Sequence, residues 1–445
     1  MERGPAVRWL LFASGEALFL AIALLPDAKR GLTAYLLLFL AGALLSIFAA
    51  RSLSASGLPF LLLCAGVFRL TLLFRAPDLS DDVYRYVWDG RVAAAGISPY
   101  AFAPDDPRVE GMFPELRARV AHRDLRSVYP PVAQAVFRTA AAAPGDGVLA
   151  MKALVAAGDV AVVALLFASG GGGAGFGAAL YAFHPLAVTE SAGQGHVDSL
   201  GVALLLAALI FVSRRRPLTA GAAFAASVLT KYVPLAAALP LARRGGWRLV
   251  AAAMFVTATI WGLAARGGVP PTGALGAYAT RWEFNSVLYP AASNAIDAAR
   301  LPQRAKASYI RWKDEQRPQR PWMQRVFPYF YTAFFARVAL ALVLAIVLAG
   351  IAVKIGEMEA AVFASLGAFL LFSPTLHPWY LLWVLPFAAK RREPAFFYLS
   401  SAVPLSYGFL TPIPGWTALA IRLVEYVPFV LLLGWTLWPA RRSGR

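Results

Sequence analysis

The sequence has little charge, few acids and almost no cysteine. Only 15% of its 445 residues are charged, and 24 acidic side chains stand against 42 basic ones, for a formal net charge of +18. The single cysteine, Cys64, excludes an internal disulfide and a cysteine-based metal site. The glycine run 170–173 lacks the following Lys-Ser or Lys-Thr of a P-loop, so we assign it no nucleotide.

Apolar residues are what the sequence has in abundance. Hydrophobic residues make up 59% of the chain, and the mean hydropathy is +0.60. Apolar runs of about 18 residues or more recur, and each is long enough to cross ~30 Å of hydrocarbon as a helix. We therefore expect an all-α, polytopic transmembrane bundle that forms one integral-membrane domain over residues 1–445. In such a protein the positive charge indicates contact with anionic membrane lipids rather than with nucleic acid.

The hydropathy pattern predicts a bundle of about 12–14 spans. The candidate segments are 9–25, 32–50, 58–74, 148–169, 174–192, 195–213, 217–242, 247–265, 331–353, 358–376, 378–389, 395–411 and 419–438.

Basic residues in short loops predict the orientation, because Lys and Arg collect on the cytoplasmic side. The residues concerned are Arg3, Arg8, 214–216, Arg243, Arg244, 390–392, Arg441 and Arg442. This arrangement places two long loops, 75–127 and 266–330, outside the cytoplasm, although the second is rich in arginine. Segment 128–143 is short and has two prolines, Pro130 and Pro131, near its start. Both features favour an interfacial or re-entrant helix.

Segment 217–242 has basic clusters at both ends and Lys231-Tyr232-Val233-Pro234 near its middle. Two short half-helices that meet at Lys231 keep both clusters inside and place Lys231 near the outer face. The alternative is one continuous helix whose Lys231 faces a water-filled cavity.

One polar stretch interrupts the apolar chain. Residues 79–91 hold three carboxylates, two arginines and three aromatic rings, and the stretch continues to Tyr100. Asp81 and Asp82 are adjacent, so on a helix their side chains point about 100° apart. One is a candidate general base, while the other orients a hydroxyl or a cation. The alternatives are a helix cap, which is compatible with catalysis, and an ordinary solvated loop.

Three further polar groups fall on the same predicted side. They are His184-Pro185 through Asp198, Lys231-Tyr232, and 373–380. Ionisable side chains at membrane depth are costly unless they are paired or hydrated, so each group is a functional candidate. We expect the four groups to converge on one site.

The individual residues have competing interpretations. Glu190, Gln194, His196 and Asp198 could suggest a metal, but their spacing favours hydrogen bonds to a sugar or within the bundle. Lys231 fits a phosphate or acts as a counter-ion to Asp198. His377 fits a phosphate or caps a helix. Trp379 and Tyr380 contact a substrate or join an interfacial aromatic belt, the role expected for Trp383.

The order of these motifs resembles the GT-C superfamily of integral-membrane glycosyltransferases. It is most similar to the polyprenyl- or dolichyl-phosphate-mannose-dependent mannosyltransferases, which include the enzyme adding the first mannose to GPI anchors and bacterial alpha-mannosyltransferases. The matching features are Asp81, Tyr84, Asp89, Gly96-Ile97-Ser98-Pro99-Tyr100, Tyr129-Pro130-Pro131, His184-Pro185, Lys231-Tyr232-Val233-Pro234 and His377-Pro378-Trp379-Tyr380. The adjacent Asp81-Asp82 departs from the DxD spacing, which leaves open which aspartate is the base; Asp81 holds the first-acid position.

The resemblance implies a fold, a reaction and a set of partners. The large first extracytoplasmic loop carries the catalytic acids and juxtamembrane helices. An aspartate deprotonates an acceptor hydroxyl, which attacks the anomeric carbon of a polyprenyl-phosphate sugar with inversion. Candidate phosphate ligands are Lys231, His377 and Arg85.

The resemblance also implies that sugar or acceptor contacts come from Tyr84, Tyr129, Glu190, Gln194, His196, Asp198, Trp379 and Tyr380. No cofactor is required; a divalent metal is possible but not favoured. The expected location is a bacterial inner membrane, with an outer-face site and a lipid or glycan acceptor. The rival function classes are a transporter or flippase for lipid-linked saccharides and a non-enzymatic membrane scaffold.

Overall fold

The computed structural model describes residues 5–145, 147–316 and 320–438. Across these ranges the regular elements are helical, and β pairing is confined to one isolated bridge between Phe284 and Thr375. The expected all-α class is confirmed. Arg3, Arg441 and Arg442, which belong to the predicted cytoplasmic set, lie outside the described residues.

Within residues 5–145 and 147–265, twelve α-helices precede the second long loop. They are α1 (Pro5–Ala23), α2 (Leu32–Leu53), α3 (Leu58–Leu73), α4 (Asp82–Ala94), α5 (Pro114–Ala118), α6 (Pro131–Ala141), α7 (Val148–Ala168), α8 (Ala174–Phe183), α9 (Pro185–Val188), α10 (Asp198–Ser213), α11 (Pro217–Thr230) and α12 (Ala238–Ala264). A π-helical turn, Thr189–Gly193, follows α9, and a 3₁₀ turn, Val233–Ala237, precedes α12.

Eight further helices follow. They are α13 (Leu275–Arg281), α14 (Tyr289–Ala298), α15 (Leu301–Glu315), α16 (Thr332–Lys354), α17 (Met358–Phe372), α18 (Leu385–Arg391), α19 (Pro394–Ala402) and α20 (Ala418–Leu437). The 3₁₀ segments Pro321–Met323, Phe327–Tyr329, Pro378–Trp383 and Val403–Phe409 lie between them.

The number of full-length spans differs from the 12–14 expected. By length and composition, six described helical segments could each cross a membrane: α1, α2, α7, Val233–Ala264, α16 and α20. A bent pair, Pro185–Gly193 with α10, meets the same test only as one broken span, with a 120° bend. Several other predicted segments are short apolar helices or are broken by prolines and 3₁₀ turns, so hydropathy alone overestimates their continuity.

Two apolar cores organise the molecule. The larger core joins α2, α3, α8, α10 and α18 with the 3₁₀ segment before α18. The smaller core joins α4 and α6 to the start of α7, through Val87, Phe137 and Met151. This second core anchors the predicted outer loop: α4 and α5 are its expected juxtamembrane helices, and α6, at 11 residues, is too short to cross the membrane.

A glycine allows α4 to approach α6 closely. A Cβ atom at Gly90 would lie 2.2 Å from the carbonyl oxygen of Phe137. Any larger residue would therefore push the two helices apart. Because Asp82 is the first residue of α4, this contact also helps to set the position of the acid pair.

The chain between 217 and 264 is broken at Lys231, as one of the two sequence interpretations predicts. Helix α11 ends at Thr230, and Lys231 adopts an extended conformation with φ −158° and ψ 143°. A second break occurs at Gly246, whose φ of 69° and ψ of −174° suit glycine. Helix α11 and the segment that starts at Val233 therefore meet at Lys231, and this second segment bends again at Gly246 within α12.

The two ends of the bundle differ in chemistry. Helices α10, α11, α16 and α17 each have one end near Lys231, Arg337 or Ser373. Their other ends carry or approach basic side chains: Arg243 donates to the carbonyl of Ala352 at 2.6 Å, and Lys390 pairs with Glu359 at 2.7 Å. These basic side chains thus lie at the end of the bundle away from the acid pair.

Candidate active site

A cavity of about 490 Å³ lies where three of the four predicted polar groups meet. Its lining includes eight residues selected from the sequence: Asp81, Asp82, Arg85, Tyr129, Lys231, His377, Trp379 and Tyr380. The fourth group, from Glu190 to Asp198, is buried directly behind this wall. The structure therefore brings together residues that are up to 299 positions apart in the sequence.

Asp81 occupies the N-cap position of α4 but does not cap the helix. Its side chain makes no hydrogen bond to the helix, and its φ of −98° and ψ of 2° are non-helical. Among the described residues, no hydrogen-bond or ion-pair partner contacts its carboxylate, which is exposed and lines the cavity. Both carboxylate oxygens are thus available to a ligand.

Asp82, by contrast, is held by its neighbours. Its Oδ2 accepts hydrogen bonds from the hydroxyls of Tyr86 and Tyr129, each at 3.4 Å, and lies 3.7 Å from Nδ1 of His196. Partial removal from water raises the pKa of Asp82, and the nearby Lys231 ammonium opposes that rise. The two adjacent acids therefore differ in environment, one free and one engaged.

Lys231 forms a buried ion pair at the cavity wall. Its Nζ donates to Oδ2 of Asp198 at 2.7 Å and lies 4.4 Å from the ring centre of Tyr380. The side chain of Lys231 retains 13% exposure, whereas that of Asp198 has none. Lys231 can thus pair with Asp198 and also contact a ligand, since its ammonium has three N–H donors and faces the cavity.

Asp198 also explains the position of Trp383. The indole Nε1 of Trp383 donates to Oδ1 of Asp198 at 2.7 Å, and the ring is fully buried. The expectation that Trp383 belongs to an interfacial belt is wrong. The carboxylate needs a second donor inside the bundle, and this indole supplies it.

Rings from the 373–380 group form one wall of the cavity. His377 stacks between Phe284 and Trp379, with ring centres 4.4 Å away on each side. Trp379 in turn stacks on His196 at 3.7 Å. The stack orders the imidazole and presents flat, partly polar surfaces to the cavity, as sugar recognition requires.

Arg85 brings a second cation to the acid pair. Its Nε donates to Oδ1 of Asp89 at 2.8 Å, and Gln134 donates to the other oxygen of Asp89 at 3.0 Å. Arg85 is only 9% exposed, and its Nη2 has no hydrogen-bond partner among the described residues. A buried guanidinium nitrogen without a partner, on a residue that lines a cavity, is suited to an anion.

Five residues predicted to touch the sugar or acceptor are not part of the cavity lining, and one of them is Asp198, which pairs with Lys231 behind it. Gln194 accepts from the backbone amides of Leu79 and Ser80 at 3.0 and 3.2 Å, and thereby fixes the chain just before Asp81. Glu190 is buried and accepts from the hydroxyl of Tyr407 at 2.9 Å. These contacts position the acid pair from behind.

The other two residues also lie behind the lining. His196 is fully buried between two acids, with its Nε2 3.5 Å from Glu190 and its Nδ1 facing Asp82. Tyr84 is buried on α4, and the guanidinium of Arg119 lies 3.8 Å from its ring centre. Neither side chain therefore reaches a ligand in the cavity without a rearrangement.

Sequence reasoning missed that the long loop 266–330 also lines the cavity. Tyr278 and Trp282 line the cavity from α13, and Tyr278 bonds the hydroxyl of Tyr380 at 2.5 Å. Burial raises the pKa of Tyr278 to about 12, so its hydroxyl stays neutral and can donate. His122 lies against Trp282 at 4.5 Å. Only the aromatic content of this loop could have indicated its role.

Arg337 is a further cavity residue that sequence reasoning missed. It lines the cavity from the first turns of α16 and donates to Glu283 at 3.0 Å and to Tyr289 at 2.9 Å. Leu340, Ala341 and Leu344, farther along the same helix, continue the lining as apolar surface. The cavity thus has a charged end and an apolar side that runs along a membrane-spanning helix.

The described residues contain no group of three or more His, Cys, Asp or Glu side chains able to hold a metal ion. In a comparison with known families, the alpha-(1->6)-mannopyranosyltransferase family, N-terminal domain, matches residues 11–244, slightly more than half of the chain. No curated protein and no solved structure matches the chain significantly.

Proposed function

The chain belongs to the alpha-(1->6)-mannopyranosyltransferase family and is a membrane mannosyltransferase, and we propose that it takes mannose from a polyprenyl-phosphate donor. The acceptor is a lipid or glycan hydroxyl, and the reaction occurs at the outer face of a bacterial inner membrane. The observation that carries this proposal is the cavity that joins a free carboxylate, several cations and an apolar wall.

The shape and chemistry of the cavity support an amphipathic donor. Arg85, Lys231 and Arg337 supply positive charge, while Leu340, Leu344 and Phe372 supply apolar surface beside helices of the bundle. A polyprenyl phosphate needs both kinds of surface. Its phosphate charge must be paired with a cation, and its hydrocarbon chain must be buried against apolar side chains. A water-soluble nucleotide sugar would leave the apolar side unused.

Asp81 is the general base in this proposal. Its carboxylate is free to accept the proton of an acceptor hydroxyl, whereas Asp82 already accepts from two tyrosines. Asp82 instead orients the acceptor or the sugar, and Tyr129 and His196 hold its carboxylate in place. Each base-catalysed proton transfer of this kind accelerates a reaction by roughly 10²–10⁴-fold.

The bond changes follow from inversion. The acceptor oxygen loses its proton to Asp81 and bonds to the anomeric carbon, while the bond from that carbon to the phosphate oxygen breaks. The polyprenyl phosphate leaves with the electron pair, and Lys231, Arg85 and His377 stabilise its charge. Since inversion into an alpha linkage starts from the opposite anomer, the donor is the beta-linked mannosyl phosphate.

Tyr129, Trp379 and Tyr380 contact the sugar or acceptor in this proposal, because they line the cavity close to the acid pair. Five residues behind the lining do not touch the substrate and instead hold other residues in position. They are Tyr84, Glu190, Gln194, His196 and Asp198. No metal is assigned a role, since the lining cations can neutralise the phosphate.

Purified full-length protein provides the test. It should transfer labelled mannose from beta-mannosyl phosphopolyprenol to an alpha-(1->6)-mannoside acceptor and release polyprenyl phosphate in equal amount. Turnover separates an enzyme from a flippase, which would move the donor without consuming it. Transfer from a nucleotide-activated mannose alone would disprove the proposed donor, and transport without transfer would disprove the proposed reaction.

A further inference from the structure

The second long loop carries an exposed surface that the proposed reaction does not use. It consists of Arg304, Arg311 and Trp312 on α15, with Trp322 and Arg325 on the segment that follows; we name these five residues the α15 patch. All five are exposed, and the two indoles retain 41% and 47% of their accessible surface. Indoles so exposed are unusual unless another phase or partner covers them.

The local structure gathers the patch on one side. Arg304 and Arg311 are seven residues apart, or two helical turns, and Trp312 is adjacent to the second. Tyr309, three residues before Trp312, holds the patch to the following segment: its ring packs on Trp312 at 5.5 Å and on Phe327 at 5.7 Å, and its hydroxyl bonds the carbonyl of Met323. This packing places Trp322 6.1 Å from Trp312.

The charges of the patch have no internal counterpart. Residues 300–325 hold eight basic side chains and two acids, so an excess of positive charge remains however these are paired. Within the described ranges, no carboxylate lies at ion-pair distance from Arg304, Arg311 or Arg325. Their guanidinium groups are therefore available to an external anion.

The patch lies next to the beginning of a membrane-spanning helix. Helix α16 starts at Thr332, and Tyr329 and Tyr331 just before it are 50% and 39% exposed. The Thr332 hydroxyl bonds Asp297 of α14, which fixes the loop against the start of α16. Tyrosines and tryptophans flanking the end of a span settle at headgroup depth.

We propose that the α15 patch binds anionic phospholipid headgroups of the leaflet that surrounds the N-terminal end of α16. The arginines contact the headgroup phosphates, and Trp312 and Trp322 enter the interface between headgroups and acyl chains. This role accounts for the arginine content of a loop that the positive-inside rule leaves unexplained.

A lipid fits these observations better than an acidic glycan. A soluble glycan would need hydrogen-bonding side chains in a groove, whereas this surface alternates arginines with exposed indoles. Its neighbour is a span that already contacts lipid along most of its length, since only Ala336 and Ala352 of α16 are buried.

Binding of phosphatidylglycerol to the intact purified protein tests the proposal. The variant Arg304→Gln/Arg311→Gln/Arg325→Gln is compared with a control that loses the same charge outside the patch, Arg108→Gln/Arg138→Gln/Arg266→Gln. Bound lipid is counted by native mass spectrometry in neutral detergent, with phosphatidylcholine as competitor. The readout does not depend on mannose transfer, so it stands apart from the proposed function.

Each lost patch charge should weaken phosphatidylglycerol binding about fivefold, so the triple variant should lose roughly 100-fold, while the control stays near wild type. Salt of about 1 M should remove most of the wild-type preference. Trp312→Leu/Trp322→Leu should also weaken binding without changing charge. Equal binding by the patch and control variants would overturn the proposal. Patch-dependent binding of dextran sulfate without binding of phosphatidylglycerol would overturn it too, and would indicate a glycan.

Discussion

The two halves of the chain contribute different chemistry to one cavity. Residues 11–244, which the family matches, supply the carboxylates Asp81 and Asp82 together with the Lys231 ion pair. Residues beyond 244 supply the aromatic wall, the imidazole of His377 and Arg337. The matched half therefore holds the proton-transfer groups, and the unmatched half holds most of the surfaces that a sugar or acceptor would touch.

This difference suggests a division of work. Substitutions in the matched half should change the rate of the chemical step, because that step depends on charge placed at one atom. Substitutions of the rings and of Arg337 in the second half should change binding, because these groups act on the ground state and the transition state alike. His377 is the exception, since it contacts the leaving phosphate in the proposed reaction. The following predictions test that division.

The largest expected effect is that of Asp81→Asn. Without its base the enzyme should lose about 10³-fold in kcat, with little change in KM, as measured by mannose transfer. The exposed Asp124→Asn, in the same loop, is the control and should keep full activity. If Asp82→Asn loses more activity than Asp81→Asn, the roles of the two acids are reversed.

The second largest effect is expected for Lys231→Gln. Its kcat should be about 10²-fold lower, because the variant loses a cation that faces the leaving phosphate. It should also lower the free energy of unfolding by about 3 kcal/mol, because Asp198 remains buried without its partner. Thermal unfolding separates the two effects. Adding Asp198→Asn should restore stability but not activity, and restored activity would show that Lys231 is only a counter-ion.

Arg337→Gln tests the second half. Arg337 lies at the side of the cavity, and its charge is partly neutralised by the ion pair with Glu283. Its loss should therefore raise the donor KM about tenfold and change kcat less than threefold. Initial rates over a range of donor concentrations provide the measurement. A fall in kcat as large as that of Asp81→Asn would contradict the division between the halves.

The smallest expected effect concerns pH and Asp82. Because burial raises its pKa above the ordinary 3.8, the folded state favours the protonated acid, and this contribution is lost as the pH rises through the raised value. Asp82→Asn should therefore gain thermal stability over wild type as pH rises from about 4, by a difference of the order of 1 °C. Asp124→Asn should show no such trend, and a parallel trend would assign the effect to net charge.

Composition and motif order were enough to predict the fold class and most of the candidate site. The apolar runs specify helices in a membrane, and ionisable residues near their ends stand out because each is costly there. The break at Lys231 was one of two interpretations of the sequence, and the basic clusters at both ends of a single apolar segment favoured it over a continuous helix.

What the sequence could not show was which polar residues face the cavity and which stand behind it. Gln194 and Tyr129 look alike as candidates, yet one holds the backbone before Asp81 and the other lines the cavity. The decision depends on long-range packing of α4, α6 and α10, which has no local signal. Hydropathy likewise could not show that α8, α18 and α19 are short, because turns inside a bundle remain apolar.

The bridge between Phe284 and the segment before His377 ties the second loop to the aromatic wall of the cavity. The amide of Phe284 donates to Pro374, and its carbonyl accepts from the amide of Leu376, so residues on the α13 side move together with the aromatic wall. Helix α15 follows this bridge in the chain and makes no hydrogen bond of the bridge itself. The exposed side chains of α15 take no part in the two hydrogen bonds of this bridge, so the outer surface of the loop can change chemically while the aromatic wall keeps its attachment.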